Sequence, residues 1–114
     1  MFEEFVEEKV KSGGLYKKET ATLYYDVKSG DNKYVAMVSK VKLLTGADGL
    51  SVRVVSRVNE SDEYLQKCNQ FNCSSVGLVA SVSKGALTIS GWCQSVDEID
   101  TLVVQMIFVL KFLG

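Results

Sequence analysis

The sequence predicts one α+β domain in the order helix, three strands, helix, two strands, helix, with five strands in a single, mainly antiparallel sheet. Three observations carry this. The hydrophobic period switches between about 3.6 and two along the chain. Glycine and Asn/Asp clusters punctuate a chain that contains no proline. A helix-start pattern, Ser95-Val96-Asp97-Glu98, stands directly before the last apolar run. The 114 residues suit one core that removes roughly two-thirds of the unfolded surface from water, so residues 1–114 are read as one domain.

Phe2, Phe5, Val6 and Val10 recur at i, i+3, i+4 and i+8, with Glu3, Glu4, Glu7 and Glu8 on other faces. This predicts an amphipathic helix, stopped by Gly13-Gly14. From Thr20 the period becomes two. Ala21, Leu23, Tyr25 and Val27 alternate with polar residues, and Ser29-Gly30-Asp31-Asn32 supplies a turn. The next run is read with Val35, Met37, Val41 and Leu43 inward, and Lys40 and Lys42 outward. Gly46-Ala47-Asp48-Gly49 is read as a further turn rather than a phosphate loop, because a strand and not a helix follows it. In the third run Val52, Val54 and Val58 face in while Arg53 and Arg57 face out, completing a meander with one buried face.

Ser61-Asp62-Glu63 resembles a capped helix start, and Tyr64, Leu65, Cys68 and Phe71 form the apolar stripe of that middle helix. Val76, Leu78, Ala80 and Val82 then alternate. A tight turn at Lys84-Gly85 leads to Leu87, Ile89 and, as a further inward candidate, Trp92. The last helix starts at Ser95 and runs to Phe112 or Leu113, with Ile99, Leu102, Val103, Met106, Ile107, Leu110 and Leu113 on its core arc.

Composition narrows the chemistry. With no histidine among the 114 residues, imidazole bases, Ser-His-Asp or Cys-His systems and histidine-ligated zinc are excluded. Thirteen basic against fourteen acidic side chains argue against a strongly basic nucleic-acid binder. The three cysteines, Cys68, Cys73 and Cys93, are an odd and sparse set, read as free thiols of a reducing compartment. Cys68 and Cys73, on one helix, would point about 140° apart at roughly 7.5 Å, too far for an unstrained disulfide. The acidic amino terminus does not resemble a signal peptide, and the apolar stretch from Leu102 to Leu113 is too short to span a bilayer. The expectation is a cytoplasmic protein without membrane contact, metal or cofactor, and with no catalytic residue.

The element order looks like that of type III secretion chaperones and the bacterial YbjN-like proteins. Asn69-Gln70-Phe71-Asn72 at the end of the middle helix, the segment from Gly77 to Val82 and on to Ile89, and the acidic, capped last helix are similar to the YbjN-like pattern. The stretch after Trp92 is short, and no leucine-rich helix pair of the secretion-chaperone kind is present. The resemblance implies a curved antiparallel sheet carrying helices on one face and a middle helix that helps pair two subunits. It also implies a non-enzymatic interaction role, as a sensory-transduction regulator or chaperone-like module.

Two sets of residues are candidates for contact with partners. Val104, Phe108 and Phe112 recur at i, i+4 and i+8 on the side of the last helix opposite its core arc. The amino-terminal helix, a second subunit or a protein client could cover them. Tyr64, Leu65 and Phe71 give a second apolar surface, and a homodimer is the expected assembly. The other set is basic. Residues 33–58 carry a net charge of +4, and Lys40, Lys42, Arg53 and Arg57 are read as sharing one outward sheet face with Tyr24 and Tyr34 nearby. That face is solvated, or meets an acidic protein. Its alternative reading is a nucleic-acid-binding regulator. A third reading is a small-molecule sensor lined by Tyr25, Trp92 and Cys93.

Overall fold

The computed structural model describes residues 1–42, 44–58, 62–75 and 77–114. Helix α1 (Phe2–Lys11) is followed by β1 (Leu15–Lys17), β2 (Thr22–Ser29), β3 (Asn32–Lys42) and β4 (Asp48–Arg57). Helix α2 (Asp62–Ser74), strands β5 (Val79–Ser83) and β6 (Ala86–Cys93), a 3-10 turn at Val96–Glu98 and helix α3 (Ile99–Leu113) complete the chain. The α+β class and the order of the three helices are those read from the sequence. The strands form one antiparallel sheet in the order β1-β2-β3-β4-β6-β5.

The sheet has six strands and not five. The addition, β1, is three residues long, too short to show a period. It exists because Gly14 lets the chain turn back tightly after α1. A Cβ there would lie 2.8 Å from the Lys9 carbonyl oxygen and 3.1 Å from that of Tyr24, so only glycine fits without moving backbone. Asp48 and Gly49, expected in a turn, already pair as part of β4. The turn at Lys84-Gly85 is as expected: both residues have positive φ, 53° and 75°, which the right-handed twist of a two-residue hairpin favours.

Buried strand side chains, Thr22 apart, lie on one face of the sheet, and the register shows why. One row runs Tyr25, Ala36, Val54, Ile89, Ala80 across five strands, and all five are buried. The neighbouring row brings Leu23, Val38 and Val52 together, each with no exposed surface. This corrects the face assigned to β3. Tyr34, Ala36 and Val38 point inward, whereas Val35 is 40% exposed and Met37 and Val41 are only half-buried. Both parities of β3 are apolar, so pairing with Leu23 and Val52 decides the face and the pattern alone cannot. Leu43, also read as inward, lies outside the described residues, as do Ser61 at the expected start of α2 and Val76 before β5. On β6 the inward residue is Cys93, and Trp92 points away at 55% exposure.

Helices cover the buried face. α1 rests on β1 and β2, α3 on β4 and β6, and α2 on β5. Phe2 meets Tyr16 and Phe5 meets Tyr25 edge-on, with ring centroids 6.2 and 6.0 Å apart. Val10, at the far end of the α1 stripe, is exposed. The capping box is present in altered form. Ser95 Oγ accepts from the Asp97 amide at 3.2 Å, while Glu98 reaches back to accept from the Gln94 amide at 3.3 Å. The first turn is 3-10, and the α-helix proper starts at Ile99.

The packing leaves one polar group unsatisfied. Tyr25 is buried beneath Phe5 and Lys9 of α1, and its hydroxyl has no hydrogen-bond partner. Burial, and secondarily the charge of Asp100, push its phenol far above the ordinary value. The unfolded chain releases that proton near about pH 10 while the folded chain retains it, so stability falls as pH rises beyond that point. Tyr25→Phe removes the orphan hydroxyl and should gain up to about 1 kcal/mol at pH 8. It should also lose less stability than wild type between pH 8 and pH 11. Urea midpoints of both proteins at the two pH values test this, and an equal alkaline loss would contradict it.

Candidate interaction surfaces

On α3 the two apolar sides have different fates. Ile99, Val103, Met106, Ile107, Leu110 and Leu113 are buried, and Leu102 is half-buried. Val104, Phe108 and Phe112 remain 66, 72 and 79% exposed. α1, which could have covered them, instead packs on β1 and β2. An 80° drift from Val104 to Phe112, from the 100° step per residue, carries the stripe diagonally across the helix. Its Phe112 end reaches α2, where a groove of about 350 Å³ is lined by Phe71, Phe112, Lys67, Gln70, Ser74 and Leu113. Lys67 straps the two helices together by donating to the Leu113 carbonyl at 3.3 Å while pairing with Glu63 at 3.3 Å.

The structure therefore joins Phe71 to the Val104–Phe108–Phe112 stripe. The other middle-helix candidates go elsewhere. Tyr64 is half-buried against the core together with Phe71. Leu65, 49% exposed, departs from the predicted stripe. The helical step places it on the side of Asn72, about 120° from Phe71.

Asn72 occupies the outer edge of β5. Its Oδ1 accepts from the Ala80 amide at 2.7 Å, and its Nδ2 donates to the Ala80 carbonyl at 2.8 Å. One side-chain amide thus takes the place of a neighbouring strand. Sequence reasoning noted Asn72 only as part of an Asn-rich helix end. Its role depends on an eight-residue reach that no local pattern shows.

The four basic residues do not share a face. Lys40 and Lys42 have the parity of Ala36 and Val38. Lys40 stands opposite Leu50 and Lys42 opposite Asp48, and Lys40 lies beside the first turn of α1, where its charge reaches Glu3. Lys42 pairs with Asp48 at 3.0 Å, and that hydrogen bond and charge hold the Asp48 carboxyl below its ordinary range. Arg53 and Arg57 have the opposite parity and project from the uncovered face, with Tyr24 there and Tyr34 buried on the other side. The error follows directly from the inverted β3.

The uncovered face carries its own rows. Leu15, Tyr24, Met37, Arg53, Ser90 and Val79 lie side by side across all six strands. Among them Leu15 and Val79 are 57 and 56% exposed. Lys17 stands over the Tyr24 ring at 5.4 Å.

The small-molecule reading is not assembled. Tyr25 on β2 and Cys93 on β6 are separated by β3 and β4, and Trp92 faces the other side of the sheet from both. Cys68 and Cys93 are buried and Cys73 is exposed, all as free thiols. Burial pushes the Cys68 thiol up. It does the same to Cys93, with Glu98 adding to the effect. Among the described residues no three Cys, Asp or Glu side chains converge as a metal site, and no helix is long and apolar enough to cross a membrane. Compared with family models, with curated proteins and with solved structures, the chain matches none.

Proposed function

We propose that this protein is a non-enzymatic protein-binding module of regulatory or chaperone-like kind, and that it works as a homodimer paired through α3. The observation that carries the reading is the exposed stripe of Val104, Phe108 and Phe112 on a helix whose other side already fills the core. Each phenylalanine buried from that stripe contributes about 1.5–3 kcal/mol, and a two-fold axis doubles every contact. Antiparallel pairing of two such helices also sets the acidic start of one, with Asp97 and Asp100, towards the end of the other that carries Lys111. The groove containing Phe71 extends the contact on to α2. The nucleic-acid alternative rested on four cations sharing one face, and two of them stand on the other.

Sedimentation at micromolar concentration tests the dimer. Wild type is expected at twice the 12.6 kDa chain mass. Phe108→Asp and Phe112→Asp are expected as folded monomers with an unchanged circular dichroism spectrum, because both side chains are outside the core. A wild type that sediments as a monomer at high concentration overturns the reading, and so do variants that remain dimers.

A further inference from the structure

We propose that the uncovered face of the sheet docks an acidic amphipathic helix of a partner protein. This names a partner class for the protein-binding reading above and rests on that reading, although the surface is distinct from the α3 stripe. The first support is a row of like charges. Lys28 and Lys33 are directly opposed on β2 and β3, and Arg57, on the same face of β4, lines one trough with Lys33. Like charges directly opposite one another destabilise a sheet. Lys33 has relief from Asp26 at 3.2 Å, but among the described residues no carboxylate lies within 4 Å of Lys28, Arg53 or Arg57. Among the described residues, positive charge without a carboxylate partner thus gathers on one surface of a chain whose net charge is −1. Carboxylates from outside would neutralise it.

The second support is the floor beside that row. An open trough of about 1180 Å³ wraps this end of the sheet, lined on the uncovered side by Tyr24, Val35, Met37 and Val55 and on the helix side by Tyr34, Tyr64, Leu110 and Lys111. Lys33, Arg57 and Lys84 also border it. The protein's own architecture shows what covers such a surface. On the other face α1 lays Phe2, Phe5 and Val6 on the sheet and turns Glu3, Glu4, Glu7 and Glu8 outward. A helix with an apolar stripe and acidic flanks would meet aliphatic floor and cationic row at once. Phosphates would also suit the cations, but bases need rings to stack on. The two rings of this face, Tyr24 and Trp92, stand on β2 and β6 with two strands between them, and Tyr24 already lies under Lys17. The aliphatic floor favours protein.

The test is fluorescence anisotropy of three labelled probes against the full chain. They are an 18-residue amphipathic peptide with leucines on one face and glutamates elsewhere, the same peptide with lysines for glutamates, and an 18-nucleotide single strand. The acidic peptide is expected to bind, and the lysine peptide is not. Lys28→Glu/Arg57→Glu should weaken acidic-peptide binding at least tenfold, and Val35→Glu should weaken it independently. Phe108→Asp should leave it unchanged, whatever sedimentation says of the dimer. The proposal is overturned if the acidic peptide does not bind, or if the single strand binds more tightly. Binding that survives the charge reversals, or that disappears in Phe108→Asp, overturns it as well.

Discussion

Ile89→Ala is expected to lower stability by about 2–5 kcal/mol, the largest effect of any substitution considered for this protein. Ile89 has no exposed surface and sits within the buried row, between Val54 on β4 and Ala80 on β5. Truncation leaves a cavity that two strands cannot close without breaking their ladders with β3 and with Asn72. A domain of this size has about 5–15 kcal/mol in total, so the variant should populate the unfolded state measurably. Urea titration should show a lower midpoint with an unchanged slope. A loss below about 1 kcal/mol would mean that the row is not the centre of the core.

Asn72→Ala should have the second largest effect, and of a different kind. It deletes both hydrogen bonds to Ala80 and costs about 1–3 kcal/mol. It also uncovers the amide and carbonyl that β5 directs outward, and an open edge of that kind recruits strands from other copies. Light scattering should show species larger than those of wild type that grow with concentration, while Phe108→Asp added to the same chain should not suppress them. Asn72→Asp keeps an acceptor for the Ala80 amide and should fall between wild type and alanine. If Asn72→Ala assembles no further than wild type, some other element guards this edge.

How far the fold could be read in advance depended on how clean each alternation was. β2 and β4 were legible because Thr22, Tyr24 and Asp26 alternate with Leu23 and Tyr25, and Ser51 and Arg53 flank Val52, so that Val55 alone interrupts the pattern. β3 was not, because Tyr34, Ala36 and Val38 compete with Val35, Met37 and Val41, and a one-residue shift exchanges the faces. That single inversion also misplaced Lys40 and Lys42 and so dispersed the expected basic face. β1 was lost to its length. α3 was the clearest element, since 15 residues give enough turns to separate a core arc from a second stripe. The joining of Phe71 to Phe112 and the clamp of Asn72 on Ala80 are tertiary. They follow from where α2 settles, which its weak apolar stripe, with Leu65 outside it, did not determine.

Trp92, the single tryptophan of the chain, has an optical consequence. Its indole stands 55% in solvent on the outward side of β6, opposite Ser51, and it takes no part in the core. Its emission will therefore change little when the core comes apart, so denaturation has to be followed by backbone ellipticity instead. The same indole is open to quenchers such as acrylamide for as long as the surface around it is bare, and anything laid over it will shield it. The fold has in effect placed its one indole where it is insensitive to folding and sensitive to occupancy.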